Sequence, residues 1–346
     1  MKNYKHTLGL KQNSGTTNLV AEPSGQYSFK NCLYCYKPLT SKEQNFHKAC
    51  VKRFFGQACV PQLEYSANDL GQLAKEVIQS QMAVTGVQPK ISLSIFRKSA
   101  DNAVKKLTIV GLYGSYILKP QSEHYSQLPE VEDVTMHIAD LCGIHAVPHS
   151  LVKLADGTVC YITKRIDRNK KNKLAMEDMC QLTERLTEDK YKGSYEQIAK
   201  TVLKYSTNPL FDVSSFFEQV LLSYFTGNAD MHLKNFSMWQ PSEDAFVLAP
   251  AYDLVNTALV NPMDTEELAL TLNGKKSNFK YSDFVKAFET LHLSQKVLDK
   301  ILYNFYYCKH EMHNMVNRSF LTDDNKNLYI EIMEKRFELV PKGMFE

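Results

Sequence analysis

The chain lacks any apolar run near the ~18 residues that a membrane-crossing helix needs, and its first thirty residues hold no apolar core of a signal peptide. Those two absences lead us to expect a cytoplasmic protein with no membrane partner. It also lacks an excess of one charge. Its 41 basic and 38 acidic side chains leave a net +3, which argues against a surface built for nucleic acid or for acidic substrates. No internal repeat is visible. What the chain does have is core material: 44% of its 346 residues are hydrophobic and 23% charged, a globular balance at a length sufficient for two lobes. Of eight cysteines, Cys32, Cys35, Cys50 and Cys59 fall in the first sixty positions. In a reducing compartment such clustering points to metal, not to disulfides.

Residues 1–30 are rich in Asn, Ser, Thr, Gly and Gln without a sustained period and read as a flexible tail. Residues 31–60 hold the cysteine cluster and are expected to form a small zinc-binding module. Residues 61–167 read as a sheet interrupted by one helix. "SANDLGQLAKEVIQS" first places Leu70, Leu73, Val77 and Ile78 on one helical stripe, with Ser66 and Asp69 as a capping pair. "KISLSIF", "KLTIVG" and "GSYILKP" then read as strands. "LPEVEDVTMHIADLCGI" reads as a helix entered at Pro129, and "HSLVKL" and "TVCYITKRI" as strands about an Asp156-Gly157 turn.

Residues 168–346 are mainly helical. "AMEDMCQLTERLT", "YEQIAKTVLKY", "VSSFFEQVLLSYFTG" and the tail from Tyr281 carry helical stripes. Hairpin signals in "FSMWQPSEDAFVLAP" and at Asn273-Gly274 interrupt them. The basic run "KRIDRNKKNK" joins the two parts and is expected to be a solvated loop, not an anion site.

The densest chemistry lies in "FTGNADMHLKNFSMW". A polar turn with Gly227-Asn228 as a helix stop would account for it. The order of groups along the chain favours more. Phosphoryl transfer from a nucleotide needs a loop over the phosphates, a strand Lys to neutralise them, an Asp to orient the attacking hydroxyl, and an Asn and a second Asp to hold Mg²⁺. Asp230 and Asn235 have the kinase spacing of Asp, four residues, Asn. "LAPAYDLV" supplies Asp253 after a strand-like run, "YILKP" supplies Lys119, and "VTGVQPK" supplies the turn. Glu132, on the helix after the Lys119 strand, is a candidate partner for that lysine; ordinary compensation of the helix dipole is an equal reading. Two protein-kinase signatures are missing. The loop has one glycine, Gly86, in place of G-x-G-x-x-G, and "YDL" stands where D-F-G would be.

"VTGVQPKISL", "YILKP", "GNADMHLKNFS" and "LAPAYDL" together resemble the HipA-type serine/threonine kinases of bacterial toxin–antitoxin systems, a likeness extending over "ITKRIDR", "MEDMCQL" and "LTLNGKK". The resemblance implies an α+β, two-lobed protein-kinase-like fold, with lobes at 61–167 and 168–346, and the use of ATP and Mg²⁺. It further implies phosphorylation of a protein hydroxyl, in known relatives that of an aminoacyl-tRNA synthetase, with growth arrest as the outcome. By it Val84, Thr85, Gly86, Val87, Gln88 and Lys90 cover the phosphates, Lys119 contacts them with Glu132 beside it, Asp230 is the catalytic base, His232 braces its loop, and Asn235 with Asp253 hold magnesium. A HipB-like antitoxin is the implied partner, and DNA would be met only through it.

The family commonly has Ser where this chain has Ala83, a serine whose autophosphorylation expels the loop. Silencing is therefore expected from a partner protein, with Thr85 and Ser80 as the nearby hydroxyls. The family also often carries a separate N-terminal subdomain, where this chain has the cysteine cluster. Two other functions remain: a small-molecule phosphotransferase of the aminoglycoside type, and a zinc-containing binding protein with a weak kinase body.

"CLYCYKPLTSKEQNFHKAC" offers Cys32, Cys35, His47 and Cys50, a C-x2-C followed by H-x2-C. Each short pair can grip one metal from a tight turn, and four N/S ligands close a tetrahedral Zn²⁺ site of structural type. Such a site is expected to stiffen its own module and leave the remaining fold independent of it. Cys59 is a substitute ligand, and the alternative is a set of reduced, partly buried thiols.

Overall fold

The structure, a computed structural model, describes residues 30–80, 89–97, 105–110, 114–169 and 172–345. Helices α1 (Lys48–Phe55) and α2 (Ala67–Ser80) precede strands β1 (Ile91–Arg97), β2 (Lys105–Ile109) and β3 (Tyr116–Lys119). Helix α3 (Leu128–Leu141) and strands β4 (His149–Lys153) and β5 (Val159–Lys164) complete the first lobe. Its five strands pair antiparallel in the order β2-β1-β3-β5-β4. Ser66 and Asp69 cap α2 as expected: Asp69 accepts from the Ser66 amide and hydroxyl, both at 2.7 Å.

Strand alternation decides what each face of this sheet carries. Tyr116 and Leu118 of β3 and Cys160 and Ile162 of β5 join a core with Leu33, Phe54 and Phe55. The intervening Ile117, Lys119, Tyr161 and Thr163 point the other way, into a cleft. The cysteine-rich segment therefore packs into the sheet itself. The Leu33 carbonyl accepts from the Leu151 amide of β4, and Phe54 meets Phe55 and Tyr116 at 4.8 and 5.9 Å. The expected module at 31–60 thus shares its core with the sheet, Cys32 and Leu33 being fully buried among sheet side chains.

The second lobe follows a short connection. It contains β6 (Arg168–Asn169), β7 (Asn172–Lys173), β8 (Met176–Asp178), α4 (Met179–Leu182), α5 (Tyr195–Tyr205), α6 (Pro209–Phe225), β9 (Ser237–Ser242), β10 (Ala245–Leu248), α7 (Thr257–Val260), α8 (Tyr281–Thr290), α9 (Gln295–Arg318) and α10 (Asp323–Phe337). Helix α6 is apolar nearly all round and is accordingly the buried axis of the lobe, with Phe217 against Phe288 at 4.5 Å and Phe225 stacked on Phe337 at 4.3 Å. Each such ring contributes roughly 1.5–3 kcal/mol by burial alone. Gly227 ends the helix at φ 69°, where a Cβ would lie 2.8 Å from Ile332 and 3.0 Å from Asn256, so only glycine turns the chain here.

Two local expectations are corrected. "AMEDMCQLTERLT" is not one helix: Asp178 and Gln181 form a capping box that starts α4 at Met179 and leaves Met176–Asp178 extended, paired with β9. The basic run is not simply solvated either. Arg165 grips Asp167 with two bonds of 2.9 and 2.7 Å, and Arg168 adds a third at 2.6 Å, stiffening the connection between the lobes.

Behind α3 lies a buried polar cluster. Asp133 accepts from Tyr36 at 2.6 Å and from His149 Nδ1 at 2.7 Å, and the His137 ring sits 4.5 Å from both the Tyr36 and His149 rings. Burial opposes a charge on His149, but Asp133 and, at 3.8 Å, Asp140 raise its pKa to about 9. Burial and the neighbouring His149 lower His137 to about 4, so His149 is the ring that carries charge. Because the folded pKa of His149 exceeds the ordinary value near 6.5, its contribution is full below that pH and is lost as pH rises through about 9. Asp133, Asp140 and His137 of α3 and Tyr161 of β5 are the groups that face it, with Tyr36 beyond Asp133 and His137. Melting temperature should fall between pH 7 and pH 10 by about 2–4 °C more in the wild type than in His149→Asn; parallel curves would refute the buried ion pair.

Candidate active site and metal centre

Lys119 ends β3 on the cleft face and is almost wholly buried. Its ammonium donates to Glu132 Oε1 of α3 at 2.5 Å and to Asp253 Oδ1 of the second lobe. Lys90, just before β1, donates to the other Asp253 oxygen at 2.9 Å. Burial opposes the charge on Lys119, yet the two carboxylates raise its pKa above the ordinary lysine value. Burial likewise opposes the charge on Asp253, but Lys119 and Lys90 hold it well below the usual carboxylate range. Glu132 shows the reverse balance: burial pushes it up to about 7 against the pull of Lys119. Its Oε2 is buried with no hydrogen-bond partner among the described residues.

Asp253 reaches this position because "LAPAYD" is threaded through both lobes. Ala251 exchanges backbone hydrogen bonds with the α3–β4 connection, donating to His145 at 2.8 Å and accepting from Val147 at 2.9 Å. Asp253 itself is left-handed, φ 60°, a conformation that costs an L-residue energy and reverses the chain at once.

Asp230, His232 and Asn235 lie on the loop after α6. Asn235 Nδ2 donates to the Asp230 carbonyl at 2.9 Å, and the His232 amide donates to the same oxygen at 2.8 Å, so the loop is held by its own polar groups. Tyr252 joins it to the Asp253 turn, accepting from Ser237 at 2.6 Å and donating to the Lys234 carbonyl at 3.0 Å. Lys234 in turn pairs with Asp178 at 2.5 Å. No hydrogen bond links Asp230 or Asn235 directly to the Lys119 group among the described residues. His232 packs its ring 4.9 Å from that of Tyr191; its Nδ1 has no partner among the described residues, and burial lowers its pKa, which favours the neutral form.

Tyr191 was not singled out from the sequence. Its half-exposed phenol donates to Asp230 Oδ1 at 2.5 Å and leaves the second oxygen free of it. Its place in a turn forty residues upstream gave no periodic or motif signal. Val84, Thr85, Gly86, Val87 and Gln88, with Ala83, lie outside the described residues.

A cavity of 390 Å³ between the lobes is floored by Lys119, Lys90, Glu132 and Asp253 and walled by Ile117, Val147, Ile166 and Met176. That is within the range of ligand pockets, with apolar walls beside paired charges.

The cysteine cluster assembles as a second centre. Ligand atoms of Cys32, Cys35, His47 and Cys50 lie within 4.8 Å of one another. His47 Nδ1 is 3.4 Å from Cys35 Sγ and 3.7 Å from Cys50 Sγ, close to the about 3.7 Å edge of a tetrahedron with 2.3 Å metal–sulfur bonds. His47 Nε2 is 3.0 Å from the Pro38 carbonyl, to which it donates in the tautomer that leaves Nδ1 free for a metal. The donor set fits zinc. Cys59 is exposed and outside the group.

Comparison with known proteins follows the same lines. A Haemophilus influenzae protein named "Putative kinase" is 27% identical, aligned over 89% of this chain and 97% of its own. The Sinorhizobium fredii "Putative kinase Y4dM" is 30% identical over 63% of this chain and 56% of its own. Among solved structures, HipA from Shewanella oneidensis, in its complex with HipB and operator DNA, superposes with a TM-score of 0.63 at 19% identity, covering 80% of this chain and 70% of that one. The Helicobacter pylori proinflammatory kinase CtkA gives 0.51 at 14% identity, over 72% and 93%. The fold is thus the two-lobed α+β fold of these kinases. The HipA-like C-terminal domain family matches residues 82–312, well over half of the chain, and the chain belongs to that family.

Proposed function

We propose that this protein is a HipA-like kinase that transfers the γ-phosphate of ATP to a serine or threonine hydroxyl of a protein. The observation that carries this reading is the buried Lys119, held between Glu132 of one lobe and Asp253 of the other at the end of an apolar inter-lobe slot. A lysine so placed can turn to nucleotide phosphates, and Asp253, released from Lys119 and Lys90, becomes a metal ligand together with the Asn235 side-chain oxygen. Magnesium bound there would neutralise charge on the β- and γ-phosphates. Asp230 accepts the proton of the attacking hydroxyl as the new O–P bond forms and the bond to the leaving ADP breaks. Val84 to Gln88, with Lys90, cover the phosphates.

In the same reading Cys32, Cys35, His47 and Cys50 hold one structural zinc. The protein works in the cytoplasm as a growth-arresting toxin on the translation machinery, an aminoacyl-tRNA synthetase being the model substrate. The Shewanella neighbour was solved with HipB and operator DNA, which supports a HipB-like antitoxin as partner. In this reading the chain divides into a zinc module at 31–60, a first lobe at 61–167 and a second at 168–346.

The test is γ-labelled ATP in cell lysate, wild type beside two variants, with identification of the labelled band. Asp230→Asn should lower transfer by about 10²–10⁴ with Mg-ATP affinity almost unchanged, since only the hydroxyl-orienting group is lost. Asp253→Asn should abolish transfer and weaken Mg-ATP binding. Near wild-type labelling by Asp230→Asn defeats the assignment, and labelling of an aminoglycoside with no protein band would move the enzyme to small-molecule phosphotransfer.

Metal analysis should return about one zinc per chain, lost in the Cys32→Ser/Cys35→Ser variant; a zinc-free wild type ends this part of the proposal. Incubation with Mg-ATP should leave no stoichiometric phosphate on Thr85. Mass spectrometry finding it there, with activity lost, would show self-silencing in place of a partner.

A further inference from the structure

The cysteine turn touches the rest of the molecule at one point that bears on the cleft. Cys32 to Lys37 close on themselves: the Tyr36 amide donates to the Cys32 carbonyl and the Cys32 amide to the Lys37 carbonyl, both at 2.9 Å. That closure forces Tyr36 to φ 59°, a left-handed conformation that a bulky aromatic residue rarely adopts. With Cys32 and Cys35 turned toward the metal position, Tyr36 is thrown out on the other side, against α3. It is 1% exposed, although its neighbours Tyr34 and Lys37 are not buried.

A core tyrosine needs only its ring. The Tyr36 ring is satisfied edge-on by His137 at 4.5 Å and Phe320 at 5.0 Å. Its hydroxyl does something further, donating to Asp133 Oδ2 at 2.6 Å in a site where both side chains are buried. Asp133 follows Glu132 directly in the chain. On a helix adjacent residues project about 100° apart, so fixing Asp133 from behind fixes the rotation at which Glu132 meets Lys119 in front. The other Asp133 oxygen is held by His149 of β4 at 2.7 Å. Helix α3 is thus gripped from the sheet and from the cysteine turn, and a face about 100° round from that grip carries the 2.5 Å bond to Lys119.

We propose that Tyr36 is a positioning residue of the active site: the metal-closed turn sets α3 through the Tyr36–Asp133 bond and thereby holds Glu132 on Lys119, so that metal occupancy at Cys32, Cys35, His47 and Cys50 controls the competence of the cleft. This rests on the kinase reading for its catalytic consequence. The mechanical link from turn to helix does not. Without metal only the two backbone bonds between Cys32 and Lys37 close the turn, which lets Tyr36 leave its left-handed conformation more readily and takes its hydroxyl from Asp133. Asp133 then keeps only its histidine partners, His149 of β4 foremost, while α3 retains its packing on β5 and α9 and the Thr135–Tyr329 bond.

The experiment compares full-length wild type with Tyr36→Phe, which keeps the ring and removes only the hydroxyl. Zinc content should be unchanged. Amide exchange in the peptide covering α3 should accelerate, while exchange in α6 stays as in the wild type. In transfer assays kcat should fall by on the order of tenfold with the KM for ATP little moved, as loss of one buried charge-assisted bond predicts. Chelating the wild type should reproduce the faster α3 exchange, and readdition of zinc should reverse it. Wild-type exchange in α3 and wild-type kcat in Tyr36→Phe would overturn the proposal, as would α3 exchange unmoved by chelation. A wild type with no ATP-dependent transfer would sink the kinase reading alone, because α3 exchange still decides the mechanical link.

Discussion

An ammonium group withdrawn from water is the constraint on which the cleft depends. Lys119 is almost fully buried, and an isolated charge there would be discharged instead of tolerated. It stays charged because two carboxylates meet it, and they come from different places: Glu132 from a helix of the first lobe, Asp253 from a left-handed turn of the second. The lobes therefore cannot separate in this state without stranding a charge. A buried pair of this kind adds little net stability over an apolar packing of the same volume. Its value lies in specifying geometry, and in being exchangeable for other anions of similar reach. Phosphate oxygens entering the slot would offer Lys119 an equivalent partner and leave Asp253 free for a cation.

The same economy runs through the first lobe. A strand has two faces, and β3 and β5 spend them on different tasks: Tyr116, Leu118, Cys160 and Ile162 bind the sheet to the cysteine segment, while Ile117, Lys119, Tyr161 and Thr163 line the cleft. A one-residue slip of β3 would bury nothing properly and point Lys119 away from Glu132. Register is protected by the long pairing of β5 with both β3 and β4, so the position of a single cleft lysine is held by the packing of the opposite face.

Much of this was legible in the residues, for physical reasons. Asp230 and Asn235 could be found because their spacing is local: one turn of loop brings the Asn235 amide onto the Asp230 carbonyl. Cys32 with Cys35, and His47 with Cys50, are local pairs for the same reason. Long strands and helices with clear alternation, such as "KISLSIF" and "YEQIAKTVLKY", appear where their periods put them. What sequence did not disclose were contacts between distant single residues. Tyr191 with Asp230, and Tyr36 with Asp133 97 positions away, leave no periodic trace. Met176–Asp178 was read as helix because Met, Glu and Asp fit a helical stripe. Pairing with β9, a partner sixty residues downstream, overrode that local preference. Arg165 and Arg168 read as solvated charge because their partner, Asp167, lies inside the same run, where composition registers only the excess of bases.

The independence of a small metal module is usually inferred from its size, since a few dozen residues bury too little surface to fold without the ion. Here size misleads, because the segment does not close its own core. Leu33 hydrogen-bonds the edge strand β4, Phe54 and Phe55 pack on Tyr116, and Tyr36 crosses to α3. Free energy gained by closing this Cys3His group on a metal would therefore reach the sheet and α3 as well as the turn. That sharing has a consequence for the cleft. Glu132 keeps a buried carboxylate oxygen without a partner among the described residues, and such an atom is costly unless the packing around it holds it in place. The rigidity comes from behind α3, from Asp133 and the two groups that hold it. The unpartnered Glu132 oxygen of the cleft and the cysteine cluster thus belong to one packed unit.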